Sequence, residues 1–81
     1  MRAPIRSLAS LPPGGSAVVR SVHGARSVAR RLMELGLVPG TKVRLTRVAP
    51  LGDPIELHVR NYALSIRKAE AHAIEIDEPG P

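Results

Sequence analysis

The stretch MELGLVPGTKV (residues 33–43) carries the residue types of a phosphate-binding loop: two glycines, a threonine and a lysine close together. The nucleotide-binding pattern G-x-x-x-x-G-K-[ST] places four residues between its glycines and joins a strand to a following helix. Here three residues separate Gly36 from Gly40, the threonine precedes the lysine, and Pro39 removes a backbone N–H donor. We therefore expect Gly36, Pro39 and Gly40 to form a structural turn that binds no nucleotide.

Histidines and carboxylates supply candidate metal ligands, but their spacing is not that of a metal site. The sequence contains neither H-x-x-x-H nor H-E-x-x-H, and it has no cysteine for thiolate ligands or disulfides. A closed site needs several converging ligands. We expect no functional metal site and no cofactor among the scattered candidates, which are His23, His58, His72, Asp53 and Glu70.

Serine, histidine and aspartate are the residue types of a nucleophilic triad. Ser27 or Ser65, with a histidine and Asp53, would supply them. Such triads are defined by their geometry, and no spacing in this chain indicates one. Because nothing points to a deep pocket in so small a chain, we expect a binding protein and not an enzyme.

Positive charge is concentrated in the first part of the chain. The net charge is +5, but residues 1–52 hold nine Arg or Lys and one acid, whereas residues 53–81 hold three Arg or Lys and six acids. A basic half suits nucleic acid, anionic lipid or an acidic protein face, or serves solubility alone. Single-strand binders stack bases on aromatic rings, and Tyr62 is the only aromatic residue. A basic nucleic-acid-binding barrel is therefore the alternative reading, with nucleic acid the less favoured partner.

The composition is that of one small globular domain. The chain has 81 residues, of which 43% are hydrophobic and 23% charged. No apolar run of signal-peptide type follows the N-terminus, and no stretch approaches the roughly 20 apolar residues that span a bilayer. We expect a cytoplasmic protein without direct membrane insertion, which would reach the inner face of the membrane only through a partner that recruits it.

Alternating apolar residues predict short strands around one principal helix. The strands are predicted at residues 17–22, 41–48, 55–60, 62–67 and 74–76, and the helix at residues 26–35. Strands this short bury a core only together, so we predict a mainly β fold: a small SH3-like five-stranded barrel with one α-helix inserted between the first and second strands. This domain would cover residues 7–77, with flexible tails at 1–6 and 78–81.

Small and turn-forming residues mark the predicted joints. Gly36 is expected to end the helix as the left-handed residue of a Schellman motif, and Pro39-Gly40 fits a type II turn. A β-bulge is predicted near Arg47, where the alternation of the second strand slips. Asn61 is expected to adopt the left-handed conformation between the third and fourth strands.

The order and spacing of these pieces resemble a known family. The runs RLMELGLVPGTKV (residues 31–43) and RVAPLGDPIELHVRNYALSIRKAEAHAI (residues 47–74), preceded by Leu8-x-x-Leu11 and Pro13-Gly14, are similar to the ferrous iron transport protein A family, FeoA. The resemblance covers roughly residues 7–77. Asn61 stands where the family commonly has glycine, and asparagine also tolerates a left-handed turn.

The resemblance implies a stand-alone accessory protein for the ferrous iron transporter FeoB, a membrane protein with a cytosolic GTPase domain. It implies a cytoplasmic SH3-like domain that regulates Fe(II) uptake by protein–protein interaction, and that is itself neither the permease nor the GTPase. Transition metal binding is associated with the family only loosely. The same fold also occurs as a C-terminal domain of metal-dependent repressors.

A partner surface is predicted on the PLGDP loop, because binding residues commonly lie on loops held by a rigid scaffold. Leu51 is expected to be exposed and Asp53 to offer a carboxylate, with Arg47 and Arg60 near the neighbouring strand ends and Tyr62 as the aromatic anchor. The alternative is that Tyr62 is half-buried in the core and that Leu51 packs on the rim.

The predicted helix offers a second surface. Arg26, Arg30 and Arg31 fall mostly off its apolar stripe, which Ala29 and Met33 are expected to widen. These arginines either meet an acidic protein face or lipid headgroups, or form an ordinary solvated helix face, which is the favoured reading.

Overall fold

A computed structural model describes residues 6–77 of the chain. Within that range the strands are β1 (Arg6–Ser7), β2 (Ser16–Val22), β3 (Lys42–Val48), β4 (Ile55–Val59), β5 (Tyr62–Ile66) and β6 (Ile74–Asp77). The helices are α1 (Arg26–Glu34) and α2 (Lys68–Ala71), and one 3-10 turn, Leu8–Ser10, follows β1.

The strands form one antiparallel sheet in the order β1-β6-β2-β3-β4-β5. All five predicted strands are present and α1 lies between the first two of them, so the predicted mainly β fold is confirmed. The two-residue strand β1 is additional, because two residues are too few for an alternation pattern to reveal. Arg6 thus belongs to the sheet, and the rest of the predicted tails, residues 1–5 and 78–81, lie outside the described residues.

Alternate strand residues build the core. In β4, for example, Ile55, Leu57 and Val59 are buried, whereas His58 between them is exposed. The helix α1 adds Leu32, and the 3-10 turn adds Leu8, both fully buried. The strands therefore turn one face to the core and leave the other face to solvent.

The helix α1 ends in a Schellman motif. The backbone N–H of Leu37 donates to the carbonyl of Leu32 over 3.1 Å, and that of Gly36 donates to the carbonyl of Met33 over 3.0 Å. Gly36 has a φ of +103°, a left-handed conformation that costs other residues free energy because of their Cβ. The side chain of Met33 is 42% exposed, so its predicted place in the apolar stripe facing the core is wrong.

A tight turn then leads into β3. The N–H of Thr41 donates to the carbonyl of Val38 over 3.0 Å, and Gly40 between them has a φ of +93°. Pro39 and Gly40 thus occupy the two central positions, as a type II turn requires.

The β-bulge lies one residue earlier than predicted. The pairing of β3 with β4 steps from Leu45 opposite Leu57 to Arg47 opposite Glu56, which leaves Thr46 as the extra residue. The hydroxyl of Thr46 donates to the carbonyl of Glu56 over 3.1 Å, so the bulged residue is still tied to β4.

The left-handed residue of the β4–β5 turn is Arg60, with a φ of +54°, and the prediction of Asn61 is wrong. Arg60 and Asn61 form the two-residue turn between Val59 and Tyr62, which are paired across the hairpin. Two-residue hairpins that match the twist of their strands need a positive φ at the first central position. The position in the turn, and not the preference of the side chain, therefore decides which residue is left-handed.

No helix in residues 6–77 combines the length and the apolar character needed to cross a bilayer.

Candidate functional site

The loop between β3 and β4 presents Leu51 to solvent. The N–H of Gly52 donates to the carbonyl of Ala49 over 2.7 Å, which closes a β-turn with Leu51 at its corner. The N–H of Ala49 in turn donates to the carbonyl of Pro54 over 3.0 Å, closing the base of the loop. Leu51 is 97% exposed, so this loop displays a large apolar side chain on an internally bonded support.

Asp53 anchors the same loop. Its Oδ1 accepts a hydrogen bond of 3.0 Å from the backbone N–H of Lys68, the first residue of α2. The first N–H groups of a helix lack partners within the helix, so this bond satisfies one of them. This carboxylate therefore helps to hold the loop against α2, and its contact with a partner stays a prediction.

Arg47 lies beside the loop. It is exposed on β3 and, with Pro50, Pro54 and Glu56, lines a hollow of 110 Å³. That volume is below the usual size of a small-molecule site, so this hollow suits a side chain of a partner better than a ligand.

Arg60 and Tyr62 lie at the other end of β4. Tyr62 pairs with Val59 at the end of that strand, whereas the loop of Leu51 precedes its first residue, Ile55. Ile55 and Val59 are four residue steps of about 3.4 Å apart, which separates the two ends by roughly 14 Å. The five predicted partner residues thus form two groups and not one patch.

Tyr62 contacts the end of α1. Its hydroxyl donates to the carbonyl of Leu35 and lies directly over Gly36, where a Cβ would overlap it. The residue is 40% exposed, so part of its surface is accessible while its hydroxyl serves the fold. The role of Tyr62 as an aromatic anchor for a partner stays a prediction.

The arginines of α1 differ from one another. Arg31 forms an ion pair with Glu70 of α2, whose side chain is 13% exposed. Arg26 and Arg30 are exposed and border a shallow groove with Met33. The second predicted surface therefore consists of two arginines beside an exposed methionine.

One feature was missed by the sequence reasoning. A groove of 320 Å³ on the outer face of β3 and β4 is bordered by basic side chains, namely Lys42, Arg44, His58 and Arg60. The sequence does place basic residues at every second position in both segments: Lys42 and Arg44 in β3, and His58 in β4 with Arg60 just after it. Recognising that these pairs adjoin required the register of the two strands.

The histidine with the most side-chain contacts is His23. Its Nε2 lies 2.9 Å from Oε2 of Glu75 and 2.8 Å from Oγ of Ser21, and Arg20 lies 3.5 Å from the other carboxylate oxygen. The hydrogen bond with His23, aided by Ser21 and Arg20, lowers the pKa of Glu75 below its ordinary value although burial opposes this. Within residues 6–77 no three His, Asp or Glu side chains lie close enough to hold a metal ion together.

Comparison with known proteins gives a consistent result. The sequence model of the FeoA domain family matches residues 6–78. The Fe(2+) transport protein A/Fe(2+) transporter FeoB fusion protein of Porphyromonas gingivalis is 33% identical over 70 residues, which are 86% of this chain. The chain spans 8% of the length of that fusion protein.

Solved structures show the same fold. The FeoA protein of Chlorobium tepidum is 43% identical with a TM-score of 0.86, over 93% of this chain and 71% of its own. The zinc complex of Stenotrophomonas maltophilia FeoA is 38% identical with a TM-score of 0.78, over 89% of each chain, and is described as a procaryotic SH3 domain protein. The predicted SH3-like class is thereby confirmed. A manganese-dependent transcriptional repressor, at 16% identity and a TM-score of 0.85 over 96% of this chain and 38% of its own, shares the fold alone.

Proposed function

The chain belongs to the FeoA domain family, and from this premise we propose that it is an accessory protein that binds and regulates the ferrous iron transporter FeoB. It acts by protein–protein contact with the cytosolic part of the transporter in Fe(II) uptake. In this proposal the protein is cytoplasmic and is held at the inner face of the membrane by its partner, without chemistry of its own.

The observation that carries the proposal is the fused relative. In Porphyromonas gingivalis one polypeptide joins a domain 33% identical to this chain to a FeoB transporter. Linking two modules raises their effective concentration without any new contact, so a fusion is useful where the modules act on each other. A domain of the same family that acts on the same neighbour needs a binding surface for it.

Leu51 is the proposed contact residue. It is 97% exposed, whereas every other leucine in residues 6–77 is buried or partly buried. The turn that displays it is closed by backbone hydrogen bonds and is tied to α2 through Asp53. A preformed loop loses less conformational entropy on binding, which favours its use as a docking point.

The proposal is tested by titrating the protein into the purified full-length FeoB, with and without a GTP analogue. We expect saturable binding that Leu51→Asp weakens by at least about tenfold, the loss typical of an interfacial hot spot. Pro13→Asp is the matched control, because Pro13 is also exposed in a surface turn and the change in charge is the same. Binding by this variant should stay within about twofold of the unmodified protein.

Two outcomes would contradict the proposal at different levels. If Leu51→Asp and Pro13→Asp bind equally well, the loop is not the docking surface. If the unmodified protein binds in neither nucleotide state, the family likeness describes the fold and not this partner. Binding to nucleic acid, the alternative function, would instead weaken steeply with salt, by about one unit of log–log slope per phosphate contacted.

A further inference from the structure

Four basic side chains form a compact array on the outer face of the sheet, which we call the basic square: Lys42, Arg44, His58 and Arg60. Arg44 lies opposite His58 in the register of β3 and β4. Lys42 lies two residues before Arg44 in β3, and Arg60 lies in the turn that follows β4. All four are exposed and border one groove. Regular strand geometry gives about 5 Å across the strands from Arg44 to His58 and about 7 Å along β3 from Lys42 to Arg44.

Within residues 6–77 the basic square has no acidic partner. The ion pairs of the neighbouring strands are elsewhere, since Glu75 and Asp77 of β6 pair with Arg20 of β2. Glu56, the acid of β4, lies opposite Arg47 on the other side of the bulge. Lys42, Arg44 and Arg60 bring three positive charges together on this face, and a bound anion would relieve the repulsion between them.

The surroundings of the square favour carboxylates over phosphates. Both β3 and β4 are interior strands, so their backbone N–H groups serve the sheet and form no nest of the kind that cradles phosphate. Bases of single-stranded nucleic acid need aromatic platforms, and the hydroxyl of Tyr62, the single aromatic residue, is bonded to the end of α1. What remains are guanidinium and ammonium groups, which pair well with carboxylates.

We propose that the basic square binds an extended acidic segment of a protein, with Asp or Glu at alternate positions. Alternate side chains of an extended peptide lie on one side and about 6.7 Å apart, which matches the spacing of Lys42 and Arg44 along β3. Such a segment lies along β3 and β4 and places successive carboxylates between the two rows of basic side chains. The binding is separate from the proposed docking of Leu51 and is measurable without the transporter.

The test compares two synthetic peptides of identical composition, GDSDSDG and GSDDDSG, in which three aspartates are alternate or contiguous. Each is titrated into the full-length protein at low salt, and binding is followed by the chemical shifts of the protein's backbone amides. We expect the alternate peptide to bind at least about fivefold more tightly and to shift the amides of β3 and β4, because its charges match the spacing of the square.

Variants with equal changes of charge distinguish binding at the basic square from attraction by the net charge of the protein. Arg44→Glu should weaken binding of the alternate peptide by at least about tenfold, while Arg30→Glu on the exposed face of α1 should stay within about twofold. Lys42→Gln is a milder second variant, expected to weaken binding about threefold. The amide spectrum of each variant establishes that it is folded.

Several results would overturn the inference. Equal binding of the two peptides, or equal losses in Arg44→Glu and Arg30→Glu, would show attraction by net charge without a site. Shifts that fall outside β3 and β4 would place the site elsewhere. Tighter binding of tripolyphosphate or oligothymidine than of the alternate peptide would make phosphate, and not carboxylate, the ligand.

Discussion

Replacing Gly36 with alanine tests the coupling between the end of α1 and the first residue of β5. The substitution has two costs. A left-handed φ costs an L-residue about 1–2 kcal/mol relative to glycine, and Gly36 has a φ of +103°. The new methyl group would also overlap the hydroxyl of Tyr62 and displace it from the carbonyl of Leu35. Losing that hydrogen bond costs about 0.5–1.5 kcal/mol.

The two costs together predict that Gly36→Ala lowers the free energy of unfolding by about 1.5–3.5 kcal/mol. For a domain of this size that corresponds to a melting temperature lower by roughly 6–28 °C. Gly40→Ala is the matched control, because Gly40 has a left-handed φ of +93° but a Cβ added there would meet no heavy atom within 4 Å. Gly40→Ala should lower the free energy of unfolding only by the cost of the left-handed φ, about 1–2 kcal/mol.

The measurement is urea unfolding followed by circular dichroism, on both alanine variants, on Tyr62→Phe and on the double variant with Gly36→Ala. Tyr62→Phe alone should cost about 1 kcal/mol, but nearly nothing once Gly36→Ala has already displaced the hydroxyl. The coupling energy should therefore be close to about 1 kcal/mol. Equal losses in Gly36→Ala and Gly40→Ala, together with additive costs for Tyr62→Phe, would refute the role assigned to the tyrosine hydroxyl.

Two further predictions concern the β4–β5 turn and the acid stability of β6. Arg60→Asn should raise the free energy of unfolding by about 0.5–1 kcal/mol in urea unfolding, because asparagine tolerates a left-handed φ better than arginine, whereas Asn61→Gly, at a position without a positive φ, should not stabilise. The pKa of Glu75 is lowered in the folded protein, chiefly by its hydrogen bond with His23. The ionised side chain therefore stabilises the folded protein fully above the ordinary glutamate pKa, and this stabilisation is lost as the pH falls below that value. In Glu75→Gln the urea midpoint should fall less steeply as the pH is lowered through that acid range, whereas in the control Glu34→Gln it should fall as in the unmodified protein. An unchanged decline in Glu75→Gln would contradict the role given to the Glu75 carboxylate in acid stability.

Local sequence was a good guide to the joints and to the core. The ending of α1 follows from Gly36 alone, because only glycine adopts the left-handed conformation at little cost, and the bonds to Leu32 and Met33 then close. The alternation of Ile55, Leu57 and Val59 likewise indicated which face of β4 is buried. These features depend on residues only a few positions apart.

The candidate site was less accessible to sequence reasoning. The exposure of Leu51 agrees with expectation, but the hydrogen bonds of Asp53 to α2 and of Tyr62 to the end of α1 were not foreseen, and the contact of these two residues with a partner stays a prediction. Their hydrogen-bond partners are Lys68 and Leu35, 15 and 27 positions away in the chain. No local pattern specifies contacts over such distances.

Residue types at short, fixed spacing were enough to predict five of the strands, the helix α1, the turn at Gly36 to Gly40 and the family. The pairing of the strands in space was needed to show that β1 joins the sheet, that Arg60 and not Asn61 is left-handed, and that two rows of basic residues adjoin. Register explains this difference, because a shift of one residue between β3 and β4 would carry one row to the opposite face of the sheet. That register is set by the pairing and packing of the whole sheet, and not by either strand alone.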